Sequence, residues 1–195
     1  NTTYSAGTGS GTGGDTYSFG AAASSERAFG GLRSGNLVPT IGACFTNNTG
    51  TTITSLDVAY TGEQWRIGVT NRGAADRIDF QYSTDATSLA TGTWTDVNSL
   101  DYSSSVTSGT SGALDGNSAA NRTAISSSIT GLTIANGATV WIRWADFDIS
   151  GADDGLAVDD FSLTPQGVAA DAAPSVSSTT PTNGATGVAL NSDLS

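Results

Sequence analysis

From Thr52 to Gly62 the chain alternates: Leu56, Val58 and Tyr60 share one face, and Asp57, Ala59 and Thr61 share the other. That is the period of two expected of a β-strand with one face buried. RIDFQYS (77–83) repeats it, with Ile78, Phe80 and Tyr82 inward and Arg77, Asp79 and Gln81 outward. TVWIRWADF (139–147) is the most apolar segment and sets Val140, Ile142 and Trp144 against Trp141 and Arg143. RTAISSSITGL (122–132) places Ile125 and Ile129 on one side. TYSFG (16–20), ERAFGGL (26–32), PTIGACFTN (39–47) and GTWTDVNSLDY (92–102) supply shorter strands, and GLAVDDFSLTP (155–165) closes the set, ended by Pro165. Residues 103–120 read as a long surface loop. No ten-residue stretch carries a 3.6-residue period. Roughly nine or ten short strands joined by Gly/Asn/Asp turns predict an all-β, antiparallel β-sandwich.

The pattern fades at both ends. Residues 1–14 are Gly/Ser/Thr-rich and read as a flexible lead-in to a sandwich spanning 15–165. After Pro165, residues 166–180 lack periodicity and read as a linker. The Asn183-Gly184 turn and the apolar Val188 and Leu190 then resume a strand pattern over 181–195. Fifteen residues cannot bury a core of their own. They read as the start of a further module or as a strand that pairs elsewhere.

Composition removes several function classes. The chain has 195 residues and a net charge of −11, with seven basic residues, all Arg, against eighteen acidic ones. The arginines form no run, which argues against binding to a nucleic-acid backbone. Nothing approaches eighteen consecutive apolar residues, so no transmembrane helix is expected. No signal peptide is recognisable in the numbered chain; a secreted protein would already have lost it. Without His there is no Ser-His-Asp triad, no imidazole-bound zinc and no activating base for the lone Cys44, which reads as a small core residue. An enzyme built from this chain would depend on carboxylates alone.

YSFG, ERAFGGL, FTNNTGTTITSLDVAYTGEQWR and WIRWADFDISGADDGLAVDDFSL together resemble a β-sandwich module of large secreted bacterial proteins. That module is found beside extracellular endonuclease/phosphatase-type, lamin-tail and Ig-like domains. The resemblance covers about residues 15–165, and 181–195 resembles the opening of a bacterial Ig-like domain. It implies a jelly-roll-like sandwich with an accessory, extracellular, non-catalytic role in a multidomain protein.

The chemistry concentrates in DFDISGADDGLAVDD (146–160), where six carboxylates occupy fifteen positions without a cation. Asp146, Asp148 and Ser150 followed by Gly151 reproduce the D-x-D-x-S-G opening of a calcium loop, in which alternate oxygens converge on one hard cation. Position 12 of such a loop falls on Ala157 rather than Glu, so Asp153, Asp154, Asp159 or Asp160 would complete the shell. Strict alternation puts Asp159 with Ala157, Phe161 and Leu163, and Asp160 with Val158 and Ser162. One of the pair must then face the apolar side, which is costly unless it is paired or metal-bound. Calcium, a guanidinium such as Arg143 or Arg27, or backbone N–H donors would satisfy it; a solvated Asp-rich turn is the competing reading. Oxygen ligands without His or Cys favour calcium over zinc.

GEQWR (62–66) is the second candidate. Trp65 beside Glu63, Gln64 and Arg66 would make a sugar platform, the ring stacking on a pyranose face while the polar groups bind hydroxyls. The structural alternative has Trp65 closing one end of the sandwich. The expectation is thus a calcium-stabilised extracellular module that binds a glycan or other cell-surface polymer. The alternatives are a fibre or surface-layer subunit that self-associates through 181–195, and, less favoured, a carboxylate-dependent glycosidase.

Overall fold

The computed structural model describes residues 3–35, 37–168 and 186. Its strands in chain order are β1 (Ser5–Gly7), β2 (Asp15–Phe19), β3 (Ala28–Leu32), β4 (Thr40–Thr46), β5 (Thr52–Ile67), β6 (Arg77–Ser83), β7 (Thr95–Asp96), β8 (Tyr102–Ser103), β9 (Gly112–Ala113), β10 (Arg122–Ile134), β11 (Thr139–Asp146) and β12 (Gly155–Val168). One 3-10 turn, Asn98–Leu100, lies between β7 and β8. One sheet runs β1-β2-β3-β12-β5-β10, with β9 also on β5. The other runs β4-β11-β6-β7, with β8 also on β6. Except for β1 against β2, the pairings among described residues are antiparallel. The two sheets pack as a sandwich, as the alternating segments require.

The inward positions read from the alternation form the core between the sheets. Leu56, Val58 and Tyr60 of β5 meet Ile78 and Phe80 of β6, and Val140, Ile142 and Trp144 of β11. Trp144 is the hub. Its ring meets those of Tyr60, Phe80 and Phe161 edge to face, with centroids 5.3, 5.2 and 5.5 Å away. Such pairs add about 0.5–1.5 kcal/mol each beyond the area they bury. A smaller apolar cluster, Phe19, Ala28, Trp65 and Ala157, packs apart from this core.

β12 does not keep a single alternation. Leu156 and Val158 point into the main core, Ala157 belongs to the smaller cluster, and beyond Asp160 it is Phe161 and Leu163 that pack on the main core. The switch is a bulge: Asp159 is opposite Thr61 and Ser162 is opposite Ala59, so two residues of β12 face Tyr60 alone. Asp160 absorbs the extra residue at φ 51°, in the left-handed region that Asp tolerates better than most side chains. The inference that Asp159 or Asp160 must enter the apolar side is therefore corrected. The bulge turns Phe161 inward and leaves Asp160 exposed.

Other expectations shift as well. The lead-in contains β1, which pairs in parallel with Tyr17–Phe19 of β2. The 92–102 segment divides into β7, the 3-10 turn and β8. β5 continues through GEQWR to Ile67, five residues past the expected end. Pro165 does not stop β12, which pairs with β5 as far as Val168. Because β3 bonds only Leu156–Val158, β12 at Pro165 has β5 as its one neighbouring strand among the described residues, the edge placement at which Pro is tolerated. The remainder of the proposed linker and, except for Thr186, the 181–195 segment lie outside the described residues.

Two substitutions check this architecture. Ile142→Ala, at a position with no exposed surface, is expected to cost about 2–5 kcal/mol in urea unfolding. Asp160→Val, which places a branched side chain at positive φ, is expected to cost about 1–2 kcal/mol, while Asp160→Gly leaves stability unchanged or raised. Equal losses from the two Asp160 variants would locate the effect in the Thr61–Asp160 side-chain contact instead of the backbone.

Candidate metal centre

The sandwich topology brings three distant carboxylates to one end of the molecule. Asp146 is the last residue of β11, paired with Ile78, and Asp76 immediately precedes β6 on the neighbouring strand. The chain then crosses from β11 to β12, and Asp153 and Asp154 are the last residues before β12 begins. Asp76, Asp146 and Asp153 are all buried, and an oxygen from each lies within 4.8 Å of the others. Two oxygens on opposite sides of a calcium ion are roughly 4.6–5.2 Å apart, so this separation suits a shared coordination sphere.

Hydrogen bonds hold the acids in place. Asp76 Oδ1 accepts from the Arg77 N–H at 2.8 Å and Oδ2 from the Asp154 N–H at 2.6 Å. Asp153 Oδ1 accepts from the Ile149 N–H at 3.4 Å. Asp154 acts as a strut: Oδ1 accepts from the Gly68 N–H (2.8 Å) and Oδ2 from Gln64 Nε2 (2.9 Å). Arg72 lies 3.7 Å from Asp76 and 3.6 Å from Asp154. Asp146 differs from the rest. Its Oδ1 is buried and has no hydrogen-bond partner.

An ionised carboxylate in that position is expensive, and its neighbours make it more so. At an effective dielectric constant of about 20, two unit charges 4.8 Å apart repel by about 3.5 kcal/mol. Burial pushes the Asp146 carboxyl up to about 8, reinforced by the charges of Asp76 and Asp153. Asp76 is raised to about 6, again chiefly by burial and despite its two N–H donors. Asp153 shifts the same way for the same leading reason. Burial and mutual repulsion thus favour proton uptake or a shared cation over three bare charges.

Of the acids in the 146–160 stretch, Asp146 and Asp153 meet at this centre. Asp148 is exposed and pairs with Arg33 Nε at 3.2 Å, and Ser150 is exposed. Asp154 is turned toward Gln64 and Gly68. Asp160 stands exposed on the bulge. Asp159 joins a different group, with Glu63 and Glu26. There burial raises both Glu63 and Asp159, but Glu63 Oε2 accepts from Trp65 Nε1 at 2.8 Å, and no buried carboxylate oxygen of that group lacks a partner among the described residues. The sequence reading missed Asp76. It lies seventy positions before Asp146, and only the β6–β11 register brings the two together.

The sugar platform expected at GEQWR is corrected. Trp65 is 2% exposed. Its ring stacks on Phe19, with centroids 6.0 Å apart, and a side chain added at Gly116 would lie 2.3 Å from it. No face remains for a pyranose. Gln64 has no exposed surface, and it is spent on the backbone N–H and C=O of Val106 as well as on Asp154. Of the four residues only Arg66 keeps part of its surface in solvent, since Glu63 is buried too. Compared with models of known protein families and with curated proteins, the chain matches none.

The raised carboxyls make the pH dependence of the metal-free protein testable. Asp146 and Asp76 bind protons more tightly when folded than at their ordinary value of 3.8. Their contribution is complete below about pH 4 and is lost as pH rises through about 6 and then about 8. In the presence of a chelator, the urea midpoint should fall across that window, and Asp146→Asn should flatten the fall. A midpoint that stays level in the parent protein would show that the cluster carries no charge strain.

Proposed function

We propose that this chain is a non-catalytic, calcium-stabilised β-sandwich module of a secreted, multidomain bacterial protein, serving to attach that protein to an extracellular surface polymer. The observation that carries the metal half of this reading is the convergence of Asp76, Asp146 and Asp153, together with the buried Asp146 Oδ1 that has no hydrogen-bond partner. A divalent ion satisfies that oxygen and cancels the mutual repulsion at once. Hard carboxylate ligands, with no His in the chain, favour calcium. The remaining coordination positions fall to backbone carbonyls or water, as in many calcium sites.

Burial supports a structural role for the ion. Asp76, Asp146 and Asp153 are between 0 and 6% exposed, so a substrate has little access to their oxygens. The ion would join the start of β6, the end of β11 and the entry to β12, fastening the crossover between sheets. The extracellular and adhesive part rests on the resemblance of residues 15–165 to accessory modules of secreted bacterial proteins. Among the described residues, no helix is long and apolar enough to cross a membrane.

Thermal unfolding with and without calcium tests the reading. At a free concentration one hundred times Kd, binding adds about 2.7 kcal/mol, which for a chain of this size raises Tm by roughly 5–10 °C. EGTA should reverse the rise, and Asp146→Asn and Asp76→Asn should each abolish it. A Tm indifferent to calcium and EGTA in the parent protein would eliminate the metal centre.

A further inference from the structure

A pocket of about 230 Å³ opens next to the metal centre, lined among others by Thr12, Arg33, Ser34, Arg66, Ala152 and Asp153. Asp153 belongs to both, one of the three converging carboxylates and part of the pocket wall. The volume corresponds to roughly eight water molecules at about 30 Å³ each, the bulk of one sugar ring.

The wall holds two arginines beside Asp153, and they differ in how they are committed. Two of only seven cations in a chain of net charge −11 line this one pocket. Eighteen acids offer abundant partners, yet Arg66 makes no ion pair among the described residues. Its Nη1 is anchored to the carbonyl oxygens of Gly9 and Ser10 at 3.1 and 3.4 Å. Among the described residues its Nε and Nη2 donate to nothing. Carbonyl anchors orient a guanidinium without neutralising it. Arg33 differs: its Nη1 donates to the Asp146 carbonyl oxygen at 3.1 Å, but its Nε pairs with the exposed Asp148 carboxylate at 3.2 Å, which partly neutralises it. The hydroxyl residues Thr12 and Ser34 add hydrogen-bonding groups to a wall that Leu32, Ala152 and two glycines otherwise complete.

We propose that this pocket binds the carboxylate of an acidic sugar unit, a uronate, within an extracellular polysaccharide. The planar fork of Arg66 matches a carboxylate with two parallel N–H···O bonds. Ring hydroxyls meet Thr12 and Ser34, and the neighbouring cation offsets the negative field that would otherwise repel an acidic polymer. The inference rests on the adhesive, calcium-holding reading above, and it moves ligand recognition from the buried Trp65 to the accessible Arg66.

Isothermal titration with trigalacturonate, at fixed free calcium, tests it, with neutral trigalactose as the control. Binding of the acidic trimer alone, weakened at least ten-fold by Arg66→Gln and by Arg33→Gln, is the expected result. The calcium-induced rise in Tm should survive Arg66→Gln, which separates loss of the pocket from loss of the fold or the ion. No binding of trigalacturonate by a protein that still shows that rise would overturn the pocket and leave the metal centre standing. Equal binding of the neutral trimer, or undiminished binding by Arg66→Gln, would also overturn it. Arg66-dependent binding that persists in EGTA, in a protein with no calcium response, would sustain the pocket and overturn the metal centre.

Discussion

Asp76, Asp146 and Asp153 come together where β6, β11 and β12 converge, a crowding of buried carboxylates that Arg72 offsets directly only at Asp76. Each is carried there by backbone pairing that also builds the core: Asp146 ends the strand bearing Trp144 and Ile142, and Asp76 introduces the strand bearing Ile78 and Phe80. The acids cannot part without disturbing these strands. Protonation and cation binding would each relieve them further, and they differ in pH dependence. Protonation fails as pH rises, whereas a cation holds better as the carboxylates ionise.

The strands were legible where one face is wet and the other dry. Residues 77–83 form β6 within the boundaries that alternation implies, because Ile78 and Phe80 face the core while Arg77, Asp79 and Gln81 face outward. Alternation misled where both faces are covered. GEQWR looked like a sugar platform because three of its five residues are polar or charged and flank a single Trp. In the fold, Gln64 is buried as a strut for Asp154, while Trp65 on the opposite side packs against Phe19. A buried polar residue in a strand carries no periodic signature; its partners, Val106 and Asp154, are some forty and ninety positions away.

The candidate centre was half legible for a related reason. Local crowding in 146–160 signalled that acids need a partner, and two of the three converging residues come from that run. Spacing alone could not tell inward from outward. Asp148 looks like the second ligand of a calcium loop, but Arg33 draws it to the surface, and Asp159 lies beyond the crossover on the face where Glu63 sits. The Asp160 bulge is decisive for that arrangement. It allows Ala157 and Asp159 to face the Trp65 side while Phe161 and Leu163 remain in the main core.

The few cations of this acidic chain are committed in different ways. Arg77 pairs with Asp79 and Asp101, Arg72 with Asp76 and Asp154, and Arg143 lies over the Trp94 ring, its centre 3.9 Å from the ring centroid. Those placements pin loops to the sheets. Arg66 is fixed instead by carbonyl oxygens, which carry partial charge only and leave the guanidinium net positive. Interactions beyond about 8–10 Å are screened at physiological salt, so Arg66, Arg33, Asp148 and Asp153 shape the potential at the pocket more than remote carboxylates do. The many distant carboxylates set the net charge of −11; the few ångströms around Asp153 and Arg66 set what the pocket attracts.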